Sequence, residues 1–307
     1  MKTIIECVPN FSEGRDPRVI DRIASAIDSV AGVGILHRTM DADHHRAVIT
    51  FVGDREGIAE AALRAMGKAA ELIDLNRHSG VHPRIGATDV VPFVPVRSVT
   101  MQDCALIARA VGQEAYRRYG IPVYLYGAAA MRPERARLEQ VRRGQFEGLR
   151  SELAGSTDRR PDFGGAGLHP TAGATAVGAR KFLVAYNVNL VTSDVRLANG
   201  IARKIRSSSG GLPHVKAIGV SLKTRDQAQV SINLTDFEIS SIQQVFQVVC
   251  REAERAGTRV SDSEIVGLVP RQALPSSFQS TLQLRDFRSD MVFEDRLAAY
   301  LKQTKKE

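Results

Sequence analysis

The chain contains no tryptophan, and only 6% of its 307 residues are aromatic. That scarcity leaves few platforms on which unpaired bases could stack, so a nucleic-acid partner is not expected despite a formal net charge of +8. Cysteine is almost as rare. Cys7, Cys104 and Cys250 are odd in number, far apart and set in apolar stretches, which fits neither a disulfide framework nor a cysteine metal site. A reducing, cytoplasmic compartment is the default. No apolar run approaches the ~20 residues that a membrane-spanning helix needs, so no membrane partner is expected. The opening stretch from Met1 to Cys7 carries charge and no cleavage site, unlike a secretory signal.

What is present is ordinary for a globular protein: 43% apolar and 25% charged residues, enough for one large or two medium domains. The basic excess concentrates between Arg132 and Arg150 and at Arg159, Arg160, Arg180, Lys181, Arg203, Lys204 and Arg206. About half of it reads as a solvated helix face. The remainder suits a small anionic metabolite better than nucleic acid.

Hydrophobic spacing predicts the order strand, helix, strand, strand, helix, strand, and then predicts it again. Thr3 to Val8 reads as a strand. Asp16-Pro17 reads as an N-cap followed by a first-turn proline, before a helical stripe of Val19, Ile20, Ile23, Ile27 and Val30. Strands follow over Val33 to Arg38 and Arg46 to Val52, the second alternating Ala47, Ile49 and Phe51 against Arg46, Val48 and Thr50. A helix runs to Ile73, a strand from Val90 to Val96, a helix capped by Thr100 and Asp103 to Tyr119, and a short strand from Pro122 to Tyr126. The second half repeats the pattern through Lys181 to Leu190, Asp194 to Arg206, Val215 to Leu222, Ala228 to Leu234, Ser241 to Ala256 (with Val245, Val248, Val249 and Cys250 inward) and Ile265 to Val269. The expectation is an α+β fold of two ferredoxin-like (βαββαβ) subdomains, divided within the Gly-, Ala- and Pro-rich loop from Ser151 to Gly178.

Four polar clusters fall at the ends of strands that should be neighbours. They are Asn10 to Gly14, Asp41 to Arg46, Val81 to Asp89, and Pro161 to Gly164 continuing through Gly173 to Thr175. The third holds His82 in a loop broken by Pro83 and Gly86, so it cannot be a core residue of an amphipathic helix. Histidine can take and return a proton near neutrality. Asp41, Asp43, His44, His45, His78 and His82 could in principle bind a metal. However, Gly80 and Pro83 break the helix that a four-residue His78–His82 pair would need, and no metal is expected. The run from Gly173 to Gly178 is followed by Ala179-Arg180, not by the Lys-Ser/Thr of a phosphate-binding loop.

Several long motifs carry a resemblance. They are Glu6-Cys7-Val8-Pro9-Asn10-Phe11-Ser12-Glu13-Gly14, Thr50-Phe51-Val52-Gly53, His82-Pro83-Arg84-Ile85-Gly86-Ala87, Val123-Tyr124-Leu125-Tyr126-Gly127, Pro161-Asp162-Phe163-Gly164, the run from Gly173 to Leu183, and Asn187-Val188-Asn189-Leu190. Together, from Thr3 to about Pro270, they closely resemble the formiminotransferase domain of the glutamate formimidoyltransferase family. The resemblance implies two ferredoxin-like subdomains, 1–180 and 181–307, packed around a folate-binding tunnel. It also implies a cytoplasmic transferase of one-carbon metabolism and histidine degradation. Such an enzyme moves the formimino group of N-formimino-L-glutamate to N5 of tetrahydrofolate, with or without a polyglutamate tail, and uses no metal. The chain would be a stand-alone transferase, lacking a cyclodeaminase part, and a homodimer is one assembly this allows.

In the family's pattern His82 is the catalytic acid–base. Asp41 or Asp43 would orient it or hold the amidinium. Thr39 stands where the vertebrate pattern has aspartate and His45 where it has asparagine, so the choice of carboxylate stays open. Arg46 and Arg84, with Asn10, are expected to bind the amino-acid donor. The folate contact maps onto Gly164, Gly165, Ala166, Gly167, Leu168, His169, Pro170, Thr171, Ala172 and Gly173. An N-formylglutamate donor is the near alternative; a basic nucleic-acid-binding module and a metal-dependent hydrolase are the distant ones.

Overall fold

Alternation in Arg46–Gly53 (β4) puts Ala47, Ile49 and Phe51 fully out of solvent, and this strand organises the first sheet. The computed structural model describes residues 3–303 apart from 154 and 156; the remaining residues of the expected subdomains lie outside it. The chain is mixed α+β with two sheets and divides into two compact units, Met1–Arg180 and Lys181–Glu307. Among the described residues no helix is long and apolar enough to cross a membrane.

In the first unit the elements run Ile4–Cys7 (β1), Asn10–Phe11 (β2), Pro17–Asp28 (α1), Gly34–Asp41 (β3), β4, Arg55–Leu72 (α2), Thr88–Arg97 (β5), Met101–Tyr119 (α3), Val123–Gly127 (β6), Leu138–Val141 (α4), Gln145–Glu152 (α5) and Thr175–Ala179 (β7). Local chemistry sets the helix starts. Asp16 accepts from the Arg18 amide with Pro17 in the first turn, and Thr100 and Asp103 form a reciprocal capping box. Helix α1 then buries Ile20, Ile23, Ala24 and Ile27. The sheet runs β3, β4, then β1 and β2 as two pieces of one strand, then β5, β7 and β6. Phe11, Phe51 and Phe93 lie fully buried beneath the loops that this sheet carries, each contributing roughly 1.5–3 kcal/mol by burial.

The second unit runs Val184–Leu190 (β8), Val195–Ile205 (α6), Val215–Leu222 (β9), Gln227–Leu234 (β10), Ile242–Arg255 (α7), Val260–Val266 (β11), Phe278–Thr281 (α8) and Phe293–Gln303 (α9). Its sheet order is β11-β8-β10-β9, with every pairing antiparallel. Counted in chain order, the strands of the first unit up to β5 occupy the same relative places.

Two expectations are corrected. The end of the stretch read as a dividing loop is β7, wedged parallel between β5 and β6 and buried at every residue. A strand covered on both faces shows no alternation, and Thr-Ala-Val-Gly-Ala is too small and too short to announce itself. The last strand is β11, earlier than Ile265 to Val269. Its polar Asp262 and Glu264 accept from Asn189 and Asn187 across the sheet, so hydrophobicity does not mark it. Within α7, Val245 and Val249 are buried, whereas Val248 and Cys250 are only half-buried.

Candidate active site

The four polar clusters are stitched together by backbone. Ser12 donates its hydroxyl to the Gly86 carbonyl at 2.7 Å and its amide to Ala87 at 2.9 Å. Ala87 donates to Ala172, and Ala174 to Ile85, both at 2.9 Å. Gly86 and Gly173 face each other as an antiparallel bridge. A Cβ on Gly86 would lie 1.8 Å from the Ala174 carbonyl oxygen, and one on Gly173, whose φ is +71°, would lie 2.4 Å from that of Ile85. Only glycine admits this approach. On the other side the Val81 amide reaches the Asp43 carbonyl at 3.3 Å, and His45 Nδ1 lies 2.8 Å from the Ser79 carbonyl. The turn from Asp41 to Arg46 is tight enough to hold His45 at φ +49°, and it delivers Arg46 at the start of β4.

His82 sits half-buried at the centre. Arg46 donates from Nη1 to His82 Nε2 at 2.7 Å. A guanidinium has no acceptor, so Nε2 carries the lone pair and the imidazole is neutral. The His44 ring is tilted beside it, centroids 6.3 Å apart. Asp41 Oδ1 accepts from the His44 amide at 2.7 Å and lies 3.0 Å from His44 Nδ1. Arg142 completes the surroundings, ion-paired to the buried Asp89, whose other oxygen accepts from the Ile85 amide at 2.9 Å. Burial, then the Arg46, Arg142 and His44 charges, hold His82 well below the ordinary histidine pKa, and a backbone hydrogen bond to Pro83 only partly opposes them. Burial and Arg142 likewise lower Arg46 to about 10, against the opposing charges of Asp89 and Asp41.

The predicted residues divide. His82, Arg46 and Asp41 come together, Asp41 reaching His82 through the His44 ring. Asp43 meets the same loop through its carbonyl. Arg84 turns away: its guanidinium is clamped by Glu147 at 2.6 and 2.8 Å and also donates to His78 Nδ1 at 3.1 Å, so it braces the loop. Asn10 folds its amide back onto the Val8 carbonyl at 3.0 Å. His78 stacks on His45 with centroids 4.1 Å apart, separate from the His82–Arg46 contact. In the Gly164–Gly173 stretch, Gly164, Gly165, Ala166 and Gly167 are exposed. Leu168, His169 and Thr171 are half-buried, Pro170 is exposed, and Ala172 and Gly173 are buried. His169 Nδ1 accepts from the Ala172 amide at 3.0 Å and fixes the turn.

Sequence reasoning missed the structural weight of Arg142, Asp89 and His44. Asp89 and His44 lie inside recognised clusters but gave no sign of their partners. Arg142 was hidden in a basic stretch read in part as solvated helix face. That reading is corrected for two of its neighbours in the basic excess as well as for Arg142. Arg135 is buried against Asp162 and Arg159 against Glu152, whereas Arg150 is exposed, as a solvated face requires.

Residues 4–180 match the family of the formiminotransferase domain, N-terminal subdomain, and residues 185–288 match the formiminotransferase domain. The chain is 47% identical over 287 residues to the glutamate formimidoyltransferase of Streptococcus pyogenes serotype M1, covering 94% of this chain and 96% of that protein. It is 44% identical to the glutamate formimidoyltransferase of Thermoplasma acidophilum, with 96% and 97% covered. It is also 44% identical to the formimidoyltransferase-cyclodeaminase of Mus musculus, covering 89% of this chain and 51% of that longer protein.

Proposed function

The chain belongs to the formiminotransferase family, and on that premise we propose that it moves the formimino group of N-formimino-L-glutamate to N5 of tetrahydrofolate, releasing L-glutamate. One observation carries the reading beyond family membership. A neutral imidazole with its lone pair on Nε2 is held by one guanidinium and lies in the field of a second, on a loop bridged through Gly86 and Gly173 to the stretch that carries the exposed Gly164–Gly167 segment. Such a site offers a proton acceptor, carboxylate-binding cations and a backbone surface that a ligand can approach closely.

The chemistry needs one proton moved and no metal. N5 of tetrahydrofolate attacks the amidine carbon, the new C–N bond forms, and the N5 proton passes to His82 Nε2. The C–N bond to glutamate then breaks, and His82 returns the proton to the departing nitrogen. Base and acid are the same ring, so the net change is transfer of the carbon unit and of one proton. Arg46 and Arg142 hold the donor's carboxylates. Asp41 acts on His82 through His44. The Gly164–Gly173 stretch receives the pterin in a folate tunnel, and both units follow the ferredoxin-like plan. The assay is spectrophotometric: the purified chain with tetrahydrofolate and N-formimino-L-glutamate, in chelator, beside N-formyl-L-glutamate. Turnover of the formimino donor in chelator is expected. Absence of turnover with either donor would refute the reading, and turnover of the formyl donor alone would reassign the substrate.

A further inference from the structure

We propose that Arg46 caps the His82 base in the free protein and yields it to a carboxylate of the bound amino-acid donor, so that donor binding exposes the lone pair the reaction uses. The inference rests on the donor reading above. Nε2 has one lone pair, and at 2.7 Å Arg46 occupies it; a base so engaged cannot accept a proton from an incoming nucleophile. The cap is also poorly satisfied. Among the described residues the buried arginines each hold a carboxylate: Arg84 with Glu147, Arg135 with Asp162, Arg159 with Glu152. Arg46 has no carboxylate within ion-pair distance there, and its contact with His82 spends only part of its five N–H donors. Asp89 and Asp41 favour its charge only from beyond that distance; a half-buried guanidinium without a contacting counter-ion is costly, and a planar carboxylate is the group whose two oxygens match its fork.

A second observation points the same way. Arg142, fixed by Asp89, has its Nε buried with no hydrogen-bond partner among the described residues, so a further donor of the guanidinium whose charge bears on His82 is unspent. The groups facing His82 are Arg46 from β4, Arg142 from the end of α4, and His44, held by Asp41, from the β3–β4 turn. Three of these neighbours are cations or can become so. A ligand carboxylate drawn onto Arg46 therefore frees Nε2 and at the same time relieves the field that makes it a weak base.

The test is a histidine ¹⁵N NMR titration of the full chain, with and without saturating L-glutamate, whose binding is measured by calorimetry on the same samples. Bound glutamate should raise the His82 midpoint in the wild type by about one pH unit or more, the size expected when a like charge within ~4–6 Å is neutralised. In Arg46→Met the midpoint should start higher and move less. Glutamate that binds but leaves the wild-type His82 midpoint unmoved overturns the cap and leaves the transferase reading standing. Failure of glutamate to bind the wild type overturns the donor assignment, and the cap with it. The wild-type comparison decides the matter even if the variant folds poorly.

Discussion

Asp89→Asn isolates the anchor beneath the site. Asp89 is 1% exposed; one oxygen accepts from the Ile85 amide and the other pairs with Arg142. Asparagine keeps the shape and can keep the Ile85 bond as a neutral one, losing ~1 kcal/mol because hydrogen bonds to charged groups are worth ~1.5–3 and neutral ones ~0.5–1.5. Leaving a buried cation without its partner costs roughly 3–5 kcal/mol. The Arg142 side chain is 16% exposed against 2% for Asp89, so water reaches it and the lower half of that range applies. The sum is about 4–5 kcal/mol, a large share of the ~5–15 that holds a typical domain folded. At ~2–4 °C per kcal/mol for a unit of this size, melting should fall by about 8–20 °C. With no tryptophan in the chain, far-ultraviolet circular dichroism in urea is the suitable probe. A change under about 1 kcal/mol would refute the claim that this pair fastens the His82 loop.

His82→Ala should leave the circular dichroism spectrum and tetrahydrofolate binding intact while lowering turnover by ~10²–10⁴-fold; near wild-type rates would remove the imidazole from the chemistry. Gly173→Val is expected, from the sequence, to weaken folate binding more than stability. With φ at +71° and a Cβ 2.4 Å from the Ile85 oxygen, the structure reverses that order. Stability should fall by at least ~1–3 kcal/mol of backbone strain, and an unchanged urea midpoint would contradict the Gly86–Gly173 bridge. His82 also makes stability depend on pH. Its folded pKa lies well below 6.5, so between the two values the unfolded chain binds a proton that the folded chain does not. Stability therefore rises with pH up to about 6.5 and is flat above it as far as this group is concerned, with a slope of at most ~1.4 kcal/mol per unit. His78 and His169 are lowered too, each first by burial, and they add the same sign. His82→Gln should flatten the acid side of the curve between about pH 5 and about pH 7, and an unaltered slope would show that the ring is not held neutral.

How much of this was legible in the chain follows from the distance over which each signal acts. Caps and stripes are local, so Asp16-Pro17, the Thr100–Asp103 box and the alternation of β4 stand in the sequence much as they stand in the fold. Strand β7 does not, because burial on both faces erases its period. The position of His82 was readable, since Pro83 and Gly86 exclude a helical explanation for it. Its electrostatic setting was not. That setting depends on Arg142, 53 residues from its partner Asp89, and nothing in a run of arginines distinguishes the one that turns inward from those that stay in water. The same limit explains Arg84. Next to His82 in sequence it looks like a substrate ligand, but Glu147, 63 residues on, claims its fork.

The outcome is a division of labour among arginines that only the fold assigns. Arg84, clamped bidentately by Glu147, stiffens the loop, and replacing it should cost stability first. Arg142, fixed by Asp89, supplies a stationary charge. Arg46, with no carboxylate of its own among the described residues, keeps the freedom to exchange partners. In the transferase cycle proposed above, holding a base neutral, binding an anionic donor and then letting the base act takes all three. A single arginine could not brace the loop, anchor the charge and move aside in the same cycle.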